Sequence, residues 1–359
     1  MTEQIRPVPT RRRRWLSALS VRNISVVYLL GCLLVLNAFM VPDTFFTTQS
    51  LRSVLVQNAI TGLIALAVIL PLATGAFDLS IGPVVTLGSM GVAMALVRDG
   101  VPALIAVLAV ILVAALVGAI NSFLVVRLEI TPIIATLGVG SVVTGLVILV
   151  AGQTVIPVGL DFQKIATTQF LGIAAPVYYL LIAGVVLWYL LEFTPFGRNV
   201  YATGGGRDAA DLAGVRTGFY MAISLISCSA LSGFAGIVIT AQVSAGSPNV
   251  GSSYLLPAYA AAFLGATQLK QGRFNVWGTV LSVYTIAAGV KGFNLVGAQA
   301  WITDVFTGAI LVIAVAIPRL DRLGTGRLFR RSHTLPAGDS APAPEEPVDR
   351  SSEQAHAER

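Results

Sequence analysis

The sequence predicts an all-α polytopic membrane protein with about ten transmembrane helices, some short or broken. Three observations predict it. Of 359 residues, 55% are hydrophobic and 11% charged, with a mean hydropathy of +0.82, whereas soluble domains carry about 25% charged residues. Apolar runs long enough to cross a hydrocarbon core of about 30 Å recur along nearly the whole chain. Basic residues gather between those runs and in the two tails. That is the pattern of topology signals, not of one basic face that grips nucleic acid.

Composition removes further classes. Cys32 and Cys228 stand inside apolar runs, so neither a disulfide framework nor a CxxC metal site is available. His333 and His356 both lie in the polar C-terminal tail, which removes the usual ligands of an intramembrane metal or proton relay.

Residues 1–23 form a basic N-terminal segment, expected in the cytoplasm. The apolar stretch behind the arginines at 11–14 ends in Phe39, Met40, Val41 and Pro42, without the small-residue pattern of signal cleavage. It reads as an uncleaved first span near 24–41. Further spans are expected near 51–73, 82–97, 101–126, 132–151, 171–193, 218–241, 254–269, 276–292 and 301–318, so the permeation domain runs over 24–318. The segments 82–97 and 254–269 are short for a straight crossing and are predicted to be tilted, broken or re-entrant.

Gly75 and Gly82 bracket Asp78 between apolar runs, as expected where a helix is interrupted. Asp78 there either caps the helix starting near Leu79 or lines a path through the membrane. Thr131 and Pro132 make a sharp helix start, with Thr131 as the cap. The loop 152–170, with Asp161 and Lys164, is long enough for a small external element. The Gly-interrupted stretches 72–88 and 264–278 are loosely similar, which suggests an internal repeat with the pathway at its interface. Residues 319–359 form a tail rich in Pro, Ala, Ser and Glu, expected to be cytoplasmic and largely disordered.

With the N-terminus in the cytoplasm, 19 of the 23 Lys and Arg residues fall inside, leaving Arg52, Arg98, Lys164 and Lys291 outside. That bias favours an even number of spans with both termini cytoplasmic. The longest internal loop, 194–217, carries three glycines, then Asp208 as a helix N-cap, then Ala209, Ala210, Asp211, Leu212 and Ala213, with Gly214 as a stop. This spells a short surface helix of about two turns, too short to be stable unless it packs on the membrane domain or a partner. A plain connecting loop is the bland alternative.

The loop resembles the cytoplasmic coupling loop of ATP-binding-cassette importer permeases of the ribose and related sugar family. The family pattern is matched by Phe196-Gly197-Arg198, by Tyr201-Ala202-Thr203-Gly204-Gly205, and by Ala209-Ala210-Asp211-Leu212-Ala213-Gly214-Val215. A second block, Thr74-Gly75-Ala76-Phe77-Asp78-Leu79-Ser80-Ile81-Gly82, is similar to the family's Thr-Gly-Gly-Ile-Asp-Leu-Ser-Val-Gly, with Ala76 in place of the second glycine. A third runs from Asn121 through Pro132 to Thr136-Leu137-Gly138. A fourth departs from the pattern: Tyr254-Leu255-Leu256-Pro257 stands where most members read Tyr-Glu-Leu-Asp, so two acidic positions are lost. The matched blocks cover most of residues 50–318.

The resemblance implies a permease subunit of the bacterial cytoplasmic membrane, moving a sugar or similar hydroxylated solute inward by alternating access. Its implied partners are a second permease chain, two cytoplasmic ATPase subunits and an external solute-binding protein. None of the three lysines follows a glycine, so the chain has no phosphate-binding loop. It is expected to bind no cofactor itself, ATP being used by the partner subunits, and not to be an enzyme. Asn58, Asp78, Ser80, Asn121, Thr136, Gln153 and Asn294 are the candidates to line a path for a hydroxylated solute, although such groups also bond neighbouring helices. An ion-coupled secondary transporter would need intramembrane ionisable groups, and only Asp78, Glu192, Lys291 and Asp304 lie near or within spans. A passive channel is opposed only by the loop match.

Overall fold

The computed structural model describes residues 25–152, 155–268 and 272–329. Residues up to Pro318 pack as one unit, described below. In chain order its helices are α1 (Ser25–Met40), α2 (Pro42–Phe45), α3 (Thr48–Ala73), α4 (Ile81–Val97), α5 (Ala103–Ser122, extended by a π-helical turn, Phe123–Arg127), α6 (Pro132–Ala151) and α7 (Leu160–Thr167). There follow α8 (Ala175–Phe193), α9 (Pro195–Gly205), α10 (Arg207–Leu212), α11 (Thr217–Val243), α12 (Ser252–Ala266), α13 (Val276–Leu295) and α14 (Ala300–Phe329). The last helix runs on past residue 318, where the tail was expected to begin. The basic segment 1–23 and most of the tail lie outside the described residues.

Six helices among the described residues are long and apolar enough to cross a membrane: α3, α5 with its π turn, α6, α8, α11 and α13. The expected spans at 24–41, 82–97 and 301–318 correspond to shorter apolar stretches, Val26–Met40, Ile81–Val97 and Ala300–Ala316. The expected span at 254–269 is the 15-residue α12, which carries Pro257 within it. The span expected to open at 171 begins later, because 169–174 folds back as a hairpin of two-residue strands, Gln169–Phe170 and Ile173–Ala174.

Burial sorts the helices into a centre and a rim. In α3, α11 and α13 61% of the most apolar stretch is buried, against 28–33% in α5, α6 and α8. On α5, Leu104, Leu108, Leu112 and Leu116 form an i, i+4 row that is 59–71% exposed. In water that row would be a liability; facing acyl chains it is the natural lipid-contacting surface. The centre holds where residues are small. A Cβ at Gly88 would run into the Gly233 carbonyl, and one at Gly236 into the Val85 carbonyl, so α4 and α11 touch backbone to backbone, the usual close packing of small residues in membranes.

Two interruptions shape that centre. At the first, α3 ends with Gly75 at φ +83°. The Ala76 N–H donates to Pro71 O (2.9 Å) and the Gly75 N–H to Leu72 O (3.1 Å), the Schellman closure that needs a left-handed residue. Residues 74–80 then lead into the short α4. At the second, α11 ends at Ser244 in a left-handed conformation, and 245–251 runs non-helically to the short α12. Strand Ala245–Gly246 pairs antiparallel with Ile156–Pro157 of the loop after α6.

Gly82, Thr86, Ser89 and Ala93, spaced to share one face of α4, seat this second segment. Thr86 Oγ1 accepts from Gly251 N (3.1 Å), Ser89 Oγ from Ser247 N (3.3 Å), and Gly82 and Ala93 lie against Gly251 and Gly246. The partner of the first break is therefore 244–251. Residues 264–278, the expected repeat, cover instead the end of α12 and the start of α13, with 269–271 outside the described residues.

Candidate functional site

The loop after α8 is two helices. Pro195 occupies the first turn of α9, where its missing N–H costs nothing, and Gly197 lies so close to the Leu191 carbonyl that no side chain would fit. Phe196 packs on Tyr220 (centroids 5.7 Å apart), Asn199 Nδ2 donates to the Tyr220 hydroxyl (2.6 Å), and Gly204 sits on the Ala73 carbonyl that ends α3. The Tyr201 hydroxyl donates to Phe274 O (2.7 Å) while the Arg273 guanidinium lies 3.5 Å over its ring. Burial pushes the Tyr201 phenol up to about 12, against the pull of the Arg273 charge. Arg198 is exposed.

Helix α10 begins at Arg207 with Gly206 as its N-cap residue, so Asp208 lies inside its first turn and is not the cap expected from the sequence. Gly214 ends it as expected: at φ +82° it lets Val215 N reach Ala210 O (3.0 Å) and its own N–H reach Asp211 O (2.9 Å). Ala210 faces inward and Asp211 Oδ1 accepts from Thr217 Oγ1 (2.7 Å) and, at 3.4 Å, from Thr217 N. Leu212 is left 91% exposed at the tip. Asp208, Ala209 and Gly205 are also exposed.

The candidate path residues separate. Asp78, Ser80, Asn121 and Thr136 are fully buried and belong to one network. Asp78 Oδ1 accepts from Ser80 N (3.0 Å) and Oγ (2.6 Å), so Asp78 organises the turn before α4, which starts at Ile81 and not near Leu79. Asn121 Nδ2 donates to Ser80 Oγ (2.8 Å), and Thr136 Oγ1 accepts from Leu79 N (3.0 Å). Tyr259, unremarked in the sequence, donates its hydroxyl to Asp78 O (2.7 Å) and accepts from Asp78 N (3.1 Å). Thr131 occupies the expected cap position of α6 but makes no side-chain cap bond. Asn294 is exposed near the end of α13, and Gln153 lies outside the described residues.

Asn58 lines an open cleft of about 550 Å³ between α3, α12, α13 and α14. Thr61, Ser252, Ser253, Thr303, Asp304 and Thr307 supply its other polar groups, with Leu256 and Pro257 among its apolar ones. The serines open α12 directly after the second interruption, a signal visible in the Gly251-Ser252-Ser253 run.

Comparison with known proteins follows the same lines. The family described as branched-chain amino acid transport system / permease component matches residues 50–315. The ribose import permease protein RbsC of Bacillus subtilis is 34% identical over 290 residues, 80% of this chain and 90% of its own length. The D-allose transport system permease protein AlsC of Escherichia coli is 27% identical over 320 residues, 89% of this chain and 98% of its own. The L-arabinose ABC transporter permease protein AraH of Azospirillum brasilense is 28% identical over 283 residues, 79% and 83% respectively.

Proposed function

This chain belongs to the branched-chain amino acid transport system / permease component family, as a multi-pass permease subunit of a sugar importer in the bacterial inner membrane and not an enzyme, and from that premise we propose how it is driven. ATP is hydrolysed on two separate cytoplasmic subunits, this chain binding no cofactor of its own. One ATPase seats α10, and its closure and release tilt the helices so that the polar cleft faces alternately outward and inward. The relatives named for ribose import and for allose and arabinose transport support a sugar as solute. A second permease chain, identical or sister, completes the path, and an external solute-binding protein delivers the sugar.

The observation that carries this reading is Leu212: a 91% exposed leucine on a helix of six residues braced from behind. A surface helix that short has no stability of its own, so its presentation serves a partner. In this orientation α9 and α10 face the cytoplasm with both termini, in keeping with the 19 inward-facing basic residues. The cleft supports a hydroxylated cargo, because its amide and hydroxyl groups and the one carboxylate, Asp304, can all hydrogen-bond sugar hydroxyls.

The test is affinity purification of the tagged chain from its own membranes in mild detergent, with and without Leu212→Arg. An arginine at the tip removes the apolar anchor and leaves α10 intact; Asp208→Pro would be a poor breaker, since it falls in the first turn, where proline is tolerated. Co-purification of an ATPase with the wild type and its loss from the variant is the expected result. An ATPase absent from the wild type, or fully retained by the variant, overturns the assignment of α10 and returns the ion-coupled carrier and the channel to consideration.

A further inference from the structure

Between α12 and α13, the described residues 272–275 are fastened to the elements on both sides. On one side, Tyr201 of α9 donates to Phe274 O and lies under the Arg273 guanidinium. On the other, Asn275 Nδ2 donates to Gly265 O and Gln268 O, each at 3.0 Å, at the end of α12, and Asn275 Oδ1 accepts from Gly278 N (2.8 Å) at the start of α13. Gly265 and Gly278 are in backbone contact, so the end of α12 packs directly on the start of α13.

An aromatic ladder continues from there. Phe274 packs edge-on against Phe263 (5.5 Å), Phe263 stacks on Phe77 (6.0 Å) and Tyr259 (6.4 Å), and Phe77 stacks on Tyr259 (6.3 Å). Tyr259 and Phe77 reach the first interruption, where the Tyr259 hydroxyl holds both backbone groups of Asp78. At its far end, α12 presents Ser252, Ser253, Leu256 and Pro257 to the polar cleft.

We infer that α12 is the moving element that links the ATPase-facing loop to the solute cleft, and that Tyr201 and Arg273 are the positioning residues that drive it. Motion of α9 and α10 reaches α12 through the Tyr201 clamp, swings it about the Tyr259–Asp78 contact, and displaces the cleft-lining end. Coupling of this kind travels through contiguous packing with a rigid element in it, and each link here is a named contact. The inference rests on the proposed ATPase-driven function and adds to it which residues of this chain transmit the stroke.

The experiment uses the complete transporter, purified with its ATPase and binding protein and reconstituted in liposomes, and reads solute moved per ATP hydrolysed. Tyr201→Phe removes only the bond to Phe274 O. Arg273→Gln removes the cation over the ring, and Arg273→Lys restores a cation. Tyr201→Phe and Arg273→Gln are each expected to lower the transport-to-hydrolysis ratio about fivefold or more, with Arg273→Lys recovering part of it and the double variant no worse than the poorer single. A ratio within about twofold of wild type in both single variants, with the ATPase still bound, overturns the inference and leaves the proposed function standing. Absence of an ATPase from the wild-type preparation overturns both. A merely structural role would lower yield and leave the ratio unmoved, so a low-yield variant with normal stoichiometry also counts against the inference.

Discussion

Replacing Tyr259 by Phe deletes one oxygen and nothing else, and the structure states what that oxygen does. It takes the Asp78 N–H at 3.1 Å and gives its own proton to Asp78 O at 2.7 Å, in a fully buried setting. The variant therefore leaves a backbone donor and a backbone acceptor facing an apolar ring. Each such group costs about 1–3 kcal/mol, so the pair costs about 2–6 kcal/mol. At roughly 2–4 °C per kcal/mol, the melting temperature should fall by roughly 4–24 °C. The assay is loss of monodisperse full-length protein in detergent on heating, at one scan rate because such melts are irreversible. Tyr254→Phe, on the same helix, is the control: its hydroxyl makes no hydrogen bond among the described residues. Equal melting of wild type and both variants would refute the reasoning, because the first interruption would then be held by something other than this hydroxyl.

Other outcomes follow from packing alone. Gly88→Ala pushes a methyl group onto the Gly233 carbonyl and should cost about 1–3 kcal/mol or abolish the folded peak, whereas Gly138→Ala, with open space around it, should be neutral or gain up to about 1 kcal/mol; size-exclusion profiles and melts of the two compare them directly. Cys228 is buried and Cys32 exposed, so a membrane-permeant maleimide should label one thiol per chain in the folded protein and two after SDS, read by intact mass.

Much of this was legible because length and hydropathy act locally. The long spans announce themselves by apolar run, and α10 by its glycines before and after a short Ala-rich stretch. Helix α9 was hidden, since Gly197, Gly204 and Gly205 weaken any helical reading; it forms because Gly197 and Gly204 let it lie against Leu191 and Ala73. The start of α10 moved two residues because Gly206, not Asp208, turns the chain. The second interruption reads as an ordinary loop, and the small-residue face of α4 and the pairing with Ile156–Pro157 hold it inward.

The path residues show the same limit most clearly. A polar residue in a span looks alike whether it meets solute or another helix, and the partner that decides is far away in sequence. Ser80 meets Asn121, Leu79 meets Thr136 and Asp78 meets Tyr259, so four candidates are tied into one buried network, in which Asp78 Oδ2 and Asn121 Oδ1 are left without a partner, and among the described candidates Asn58 lines the cleft.

The two interruptions also bear on how the chain is made. The groups of the first half that need partners, Asp78, Thr86 and Ser89, find them 181, 165 and 151 residues later, at Tyr259, Gly251 and Thr240. At ribosomal speeds of about 5–20 residues per second, roughly ten to thirty seconds separate the emergence of α4 from that of its partners. Through that interval the nascent first half sits in the bilayer with polar groups its own residues do not satisfy. Biogenesis is thus the stage at which this fold is most exposed to quality control, and a ribosome stalled before α11 leaves a fragment that has no means of closing itself.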